Sequence, residues 1–239
     1  GTVHALLGEN GAGKSTLIKI LAGAYQADAG AILYKEQQYA HLTTRQALDN
    51  GIRIIYQELN LLPELSVLAN VFLGHEPRTR WGLLDHKAMR EQAQALFARL
   101  GIVLDPDRLV GDLSVANQQM VEIAKALSQQ ADLIVMDEPS AILAGDELAR
   151  LFTMISALKA QGVTIIYISH RLPEIFAIAD EVTVLRDGRV VGTRLIDQVT
   201  RPELIQMMVG RPLEEIFPPR QGARGEPVLT VDNLSAGPV

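Results

Sequence analysis

Gly8-Glu9-Asn10-Gly11-Ala12-Gly13-Lys14-Ser15-Thr16 carries the phosphate-binding spacing G-x-x-x-x-G-K-[ST], and the residues on either side of it decide the fold. Upstream, Val3–Leu7 is a short apolar run that reads as a buried strand. Downstream, Leu17, Ile18, Ile20 and Leu21 recur at helical spacing, so the loop joins a strand to a helix. Its glycines let backbone N–H groups curl around an anion without Cβ clashes. A helix beginning near Lys14 adds unpaired N–H groups and the positive end of its dipole. In this setting Lys14 reaches the β- and γ-phosphates of a nucleoside triphosphate, and the Ser15 hydroxyl ligates Mg²⁺.

Composition bounds the rest. The 239 residues are 48% apolar and 21% charged, an ordinary globular mixture long enough for one large domain or two small ones. A net charge of −6 and a pI near 5.4 argue against a nucleic-acid partner. With no cysteine, a disulfide framework or thiolate metal site is excluded. No apolar stretch approaches the ~18 residues of a membrane helix and no signal peptide is visible, so a membrane role is expected to come through a partner. The chain lacks an initiator Met and begins inside a strand, from which a fragment of something longer is expected.

Four runs read as buried parallel strands: Val3–Leu7, Ile52–Tyr56, Leu133–Met136 and Val163–Ile168. Helical patterns separate them, which indicates an α/β fold with a mostly parallel sheet. Asp146 is positioned to cap a helix carrying Leu148, Leu151, Phe152, Ile155 and Leu158, ending before Gly162. Between Gly74 and Asp132 the pattern turns helical. Asp85 caps a helix striped by Met89, Ala93, Leu96, Phe97 and Leu100 and closed by Gly101. A second helix starts near Ser114, with Met120, Ile123, Ala124 and Leu127 on its apolar face. Further on, Val182–Leu185 and Val190–Gly192 flank Arg186-Asp187-Gly188, a hairpin signature. A helical tail follows at about Pro202–Val209, then a Pro/Gly-rich linker over 218–227 and a strand at Val228–Val231.

Each of the four strands runs directly into a distinctive polar group: the Gly8–Ser15 loop, Gln57, Asp137-Glu138 and His170. Ligands of open parallel sheets bind at the carboxyl ends of strands, so these groups are expected to face one crevice. Asp137 reads as the Mg²⁺-organising acid and Glu138 as the base for an attacking water; the alternative is an acidic pair capping the segment after Pro139. Gln57 reads either as a Mg²⁺ ligand that orients water or as a surface residue. His170 reads either as a structural histidine or as an imidazole hydrogen-bonded to the γ-phosphate.

Taken together, the motifs resemble the nucleotide-binding cassette of ABC transporters over nearly the whole chain. GENGAGKST is similar to that family's Walker A, LIVMDE to its Walker B, IIYQELNLLPELSV to its Q-loop through Gln57, and YISHR to its switch histidine through His170. LSVANQQ, from Leu113 to Gln119, resembles the signature LSGGQ, with Val115 and Ala116 in place of both glycines and Asn117 in place of the glutamine. The resemblance implies a RecA-like P-loop NTPase fold with an inserted helical subdomain and a small antiparallel β hairpin. It implies ATP with Mg²⁺, bound by residues 8–16 and coordinated through Ser15, Gln57 and Asp137. It further implies two cassettes closing head to tail, so that Ser114, Val115, Ala116 and Asn117 of one meet the γ-phosphate held by the other.

ALLGENGAGKSTLIKILAG, VGDLSVANQQMVEIAKALS and YISHRLPEIFAIADEVTVLRDG narrow the resemblance to the N-terminal half of tandem monosaccharide-import ATPases of the ribose, xylose and galactose type. Residues 1–74 and 133–217 would then form the ATPase core, 75–132 the helical signature subdomain, 218–227 a linker and 228–239 the start of a second cassette. The family's adenine-stacking aromatic would lie upstream of Gly1, so weak nucleotide binding is expected. The implied partners are a second cassette, an integral membrane permease and, indirectly, a periplasmic sugar-binding protein, with peripheral placement on the cytoplasmic face of the bacterial inner membrane. Two other functions compete: a soluble ABC ATPase acting on ribosomes or DNA, and a regulatory cassette with little turnover behind a degenerate signature.

Overall fold

The computed structural model describes residues 1–210 together with Asp232. Strand β1 (Val3–Leu7) buries Val3, Ala5 and Leu7 on one face and Leu6 on the other, as a strand covered on both sides must. Helix α1 (Lys14–Leu21) follows the glycine-rich loop and packs Ile18 into a cluster with Leu6, Val135, Ile168 and Leu185. A small antiparallel pair, β2 (Ile32–Tyr34) and β3 (Gln37–Tyr39), and α2 (Thr44–Asp49) lead to β4 (Ile52–Ile55). Three helices come next, α3 (Val67–Phe72), α4 (His86–Leu100) and α5 (Val115–Leu127). The chain re-enters the sheet as β5 (Leu133–Asp137), crosses through α6 (Asp146–Ala160) to β6 (Thr164–Ile168), and continues as α7 (Leu172–Ile178). The hairpin β7 (Glu181–Arg186) and β8 (Arg189–Leu195), then α8 (Arg201–Val209), complete it.

The main sheet has the order β4-β5-β6-β1-β7-β8, parallel throughout except for β8. This is the mostly parallel, helix-flanked sheet that the sequence predicts. Register places Ile55, Met136, Tyr167 and Ala5 in one row across four strands. From that row Gln57, Asp137, Glu138, His170 and Gly8 all follow within three residues, so their backbones leave the sheet along one edge.

Some details differ from the sequence reading. Asp146 is the first residue of α6 rather than its cap; Gly145 holds the cap position, and the Asp146 carboxylate sits in the first turn, where the helix dipole favours it. On α5, Met120 is only half-buried, while Gln119 and Glu122 are buried, because the helix packs against α3, α4 and β4 rather than along one stripe. Helices α2 and α3 and the β2–β3 pair were not anticipated. The expected linker at 218–227 and the strand at Val228–Val231 lie outside the described residues.

Candidate functional site

The loop after β1 is shaped by its neighbours. A Cβ on Gly8 would stand 2.5 Å from Leu185 O and 2.9 Å from the Ala12 side chain, so no larger residue fits without displacing β7. Gly13 takes φ 103° at the start of α1, a left-handed conformation that glycine adopts without strain. No side chain caps α1 and no acid occupies its first turn, leaving the N–H groups of Lys14, Ser15 and Thr16 for an anion. Lys14 Nζ donates to Gly8 O at 2.8 Å and Glu9 O at 3.1 Å, which holds the ammonium over the loop. Gly188, in the turn of the β7–β8 hairpin, donates its N–H to Ala12 O at 3.1 Å. That brace was not expected from the sequence.

The ends of β5 and β6 meet beside it. Glu138 has φ 50°, rare for a residue with a side chain, and its N–H donates to Ile168 O at 2.9 Å. Its Oε1 lies 3.0 Å from His170 Nδ1, so the structure brings these two predicted residues into contact. Burial, and then the Glu138 charge, push the Asp137 carboxyl above the usual range; Lys14 alone among the perturbing charges pulls it down. Lys14, Asp137, Glu138 and His170 thus form one electrostatic neighbourhood.

Behind this pair is a buried cluster that sequence reasoning missed. Glu174 Oε2 accepts hydrogen bonds from Ser140 Oγ at 2.6 Å, Tyr167 OH at 2.8 Å and Ser169 Oγ at 3.0 Å. Arg171 Nη1 reaches Glu174 Oε1 at 3.4 Å and Ser140 O at 3.3 Å, and Nη2 donates to Ala141 O at 3.3 Å. The cluster ties the segment after Glu138 to the one carrying His170. Its one visible signal was an acid among the apolar residues of LPEIFAI.

Other predicted residues stand apart. Gln57 is exposed beyond β4, and no hydrogen bond joins it to Ser15, Asp137 or Glu138. Ser114, Val115, Ala116 and Asn117 begin α5, where Ser114 Oγ caps the helix by accepting from Asn117 N at 3.3 Å. No hydrogen bond links them to the Gly8–Thr16 loop. Elsewhere, a cleft of about 600 Å³ lies at the amino ends of β5 and β6, lined by Leu96, Arg99, Leu127, Gln129 and Val163 among others. It contains none of the predicted site residues.

With this geometry in view, similarity to known proteins becomes informative. Residues 1–141 match the family model described as ABC transporter. The putative ribose/galactose/methyl galactoside import ATP-binding protein 2 of Rhizobium meliloti (strain 1021) is 50% identical over 235 residues, covering 98% of this chain and 46% of the relative. The ribose import ATP-binding protein RbsA of Geobacillus kaustophilus (strain HTA426) is 48% identical over 236 residues, covering 98% and 48%. The chain therefore spans about half the length of the curated relatives it matches. Among solved structures, the ADP conformation of MJ1267, an ATP-binding cassette of an ABC transporter, superposes with a TM-score of 0.74 at 28% identity over 88% of each chain. A family match over more than half of the residues agrees with the loop, the strand-end carboxylates and the sheet order: the chain belongs to the ABC transporter family and has the fold of its ATP-binding cassettes.

Proposed function

We propose that the chain is an ATP-binding and ATP-hydrolysing cassette of a bacterial monosaccharide importer, coupling nucleotide closure and hydrolysis to movement of a permease. The observation that carries the reading is the Glu138–His170 pair, 3.0 Å apart at the sheet edge from which the Gly8–Thr16 loop also emerges. The loop N–H groups and Lys14 hold the β- and γ-phosphates. Glu138 takes the proton of the attacking water as general base. While Glu138 is ionised, His170 Nδ1–H donates to its carboxylate and holds it in place for that role. Glu174 and Arg171 act at one remove, fixing the segments that carry the pair.

Mg²⁺ fits the same edge. The half-buried Asp137 carboxyl is disfavoured as an anion by burial and by Glu138, and a dication beside it relieves both penalties. Among the described residues no three His, Cys, Asp or Glu side chains cluster as a metal centre, so Ser15, Asp137 and Gln57 would form a sparse oxygen set completed by substrate phosphates and water, as Mg²⁺ prefers. When bound, it would supply charge neutralisation for the triphosphate.

The paired-cassette arrangement belongs to the same proposal. Residues 1–74 and 133–217 serve as core and 75–132 as the signature subdomain. The linker at 218–227 leads to a second cassette beginning at 228, against whose triphosphate Ser114–Asn117 would close. Exposure of Ser114 and Val115 supports this, as does the doubled length of the relatives. No helix among the described residues is long and apolar enough to cross a membrane. As an importer cassette the chain would sit peripherally on the cytoplasmic face of the inner membrane, bound to an integral permease and served indirectly by a periplasmic sugar-binding protein.

The test is ATP turnover of the tandem protein with its permease, wild type against Glu138→Gln. A fall of about 10²–10⁴-fold with nucleotide binding retained is expected for loss of a general base. Unchanged turnover would remove Glu138 from the role. A second reading, a regulatory cassette, is favoured by Val115, whose side chain occupies a position where the family signature has glycine. It predicts negligible turnover at this site already in the wild type.

A further inference from the structure

Between α3 and α4 the chain makes a tight turn whose frame is all backbone. Thr79 N donates to Leu83 O at 2.8 Å, Asp85 N to Pro77 O at 2.9 Å and Gly82 N to Thr79 O at 2.9 Å, while Arg78 and Leu84 pair across the turn. Arg78 Nη1 adds a bond to Gly82 O at 3.0 Å. On this frame stand three large apolar side chains turned to water: Trp81 is 77% exposed, Leu83 69% and Leu84 43%. Such a concentration of exposed apolar surface on a well-bonded frame marks an interaction site rather than a folding requirement.

The charges carried by the turn itself are of one sign. Both flanking carboxylates are turned to backbone: Glu76 Oε1 accepts from Gly74 N at 3.1 Å and Asp85 Oδ1 from Ala88 N at 3.0 Å. Arg78 and Arg80 are exposed, and Arg80 lies over the Trp81 ring at 4.8 Å. Beyond the turn, His86 and Lys87 are exposed, and Lys87 stands 3.9 Å from Glu91. Within residues 78–84 the only charged side chains are Arg78 and Arg80, both cationic, in a chain whose net charge is −6. A protein surface ordinarily presents both signs of charge, whereas a phospholipid surface presents phosphate above an apolar layer. Tryptophan is the side chain most at home at that boundary, and arginine gains there from anionic headgroups.

We propose that the turn Arg78–Leu84 contacts an anionic phospholipid surface, with Trp81 and Leu83 entering the headgroup layer and Arg78 and Arg80 pairing with lipid phosphates. This goes beyond the hydrolytic reading and does not depend on it.

Trp81 is the only tryptophan of the chain, so its own fluorescence reports the contact. Vesicles of phosphatidylcholine containing about a third phosphatidylglycerol, a strongly anionic surface, are compared with pure phosphatidylcholine. The expected result is a blue shift and protection from an aqueous quencher with the anionic vesicles only, lost as salt is raised from about 0.1 M to 1 M. Replacing Arg78 and Arg80 together by Ala should weaken vesicle binding roughly tenfold or more. Leu83→Ser should weaken it too, with circular dichroism and ATP turnover unchanged because none of these side chains belongs to the core or the nucleotide site. Trp81 emission that ignores anionic vesicles, leaving the turn to a protein partner, overturns the proposal. So does an equal response to pure phosphatidylcholine. Neither result bears on hydrolysis, which turnover reads separately.

Discussion

Two residues show how tightly single positions are specified. At Gly8 the nearest obstacle to a side chain is a backbone carbonyl of β7, which cannot rotate away as a flexible side chain would. Gly8→Ala should cost about 1–3 kcal/mol, the usual range for overpacking. It should also weaken nucleotide binding by roughly tenfold or more, since a 1.4 kcal/mol distortion of the loop suffices for that. A thermal melt together with a nucleotide titration reads both. Glu122 is the opposite case, a buried acid whose Oε2 has no hydrogen-bond partner among the described residues. Burial pushes its carboxyl above the usual range, offset only in part by the Lys125 charge and the Asn60 N–H. The folded chain thus holds this proton more tightly than the unfolded chain. Its contribution to stability is fully present below the unfolded-state pKa and is lost as pH rises through the folded one. Glu122→Gln should melt higher than wild type at pH 7, by ~2–4 °C for each kcal/mol recovered, with the gain shrinking towards pH 4. A constant difference across that range would refute the assignment.

At the scale of elements, the Glu174 cluster ties the segment that follows β5 to the one that follows β6. Four donor groups converge on one carboxylate, so Glu174→Ala leaves three hydroxyls without that acceptor and Arg171 with only the carbonyls of Ser140 and Ala141. A loss of about 3–5 kcal/mol is expected, as for breaking a buried ionic network. Turnover should fall further than nucleotide affinity, because His170 is displaced while the Gly8–Thr16 loop is not. Equal losses in both would make the cluster a purely structural one. Its invisibility in the sequence has a plain cause: Tyr167, Ser169 and Arg171 adjoin Glu174 in no recognised motif, and Ser140 comes from 34 positions away. Helix α4 is the contrary case. Its stripe Met89, Ala93, Leu96, Phe97 and Leu100 is wholly buried, with Asp85 capping one end and Gly101 at φ 64° closing the other, all of it local information. The β2–β3 turn escaped notice because Lys35 and Glu36 take φ 48° and 65° without glycine or asparagine to advertise it. Lys35 is held there by Asp132, 97 positions away, at 2.6 Å. The strand-end groups were readable because strand and polar terminus adjoin in sequence; the Gly188 brace on Ala12 was not.

For the whole molecule, one buried cluster runs from Val3 in β1 through the sheet and helices α3 to α6 to Leu204 in α8, with no break at either end of the helical insertion. The chain should therefore unfold in a single transition despite its mixed architecture. Far-UV circular dichroism and the near-UV aromatic signal, to which the fully buried Tyr167 contributes, should report the same midpoint, and separated midpoints would contradict this. The sheet order has a consequence for how the molecule is made. β1 is synthesised well before either of its neighbours, since it lies between β6 and β7, pairing Val3 with Ile165 and His4 with Glu181. At ordinary synthesis rates of ~5–20 residues per second, that strand waits roughly 10–30 s for either neighbour. During that interval its apolar face and unpaired backbone edge are open to chaperones and to misassociation with other nascent chains. The first residues of the nucleotide site are thus among the last to be secured.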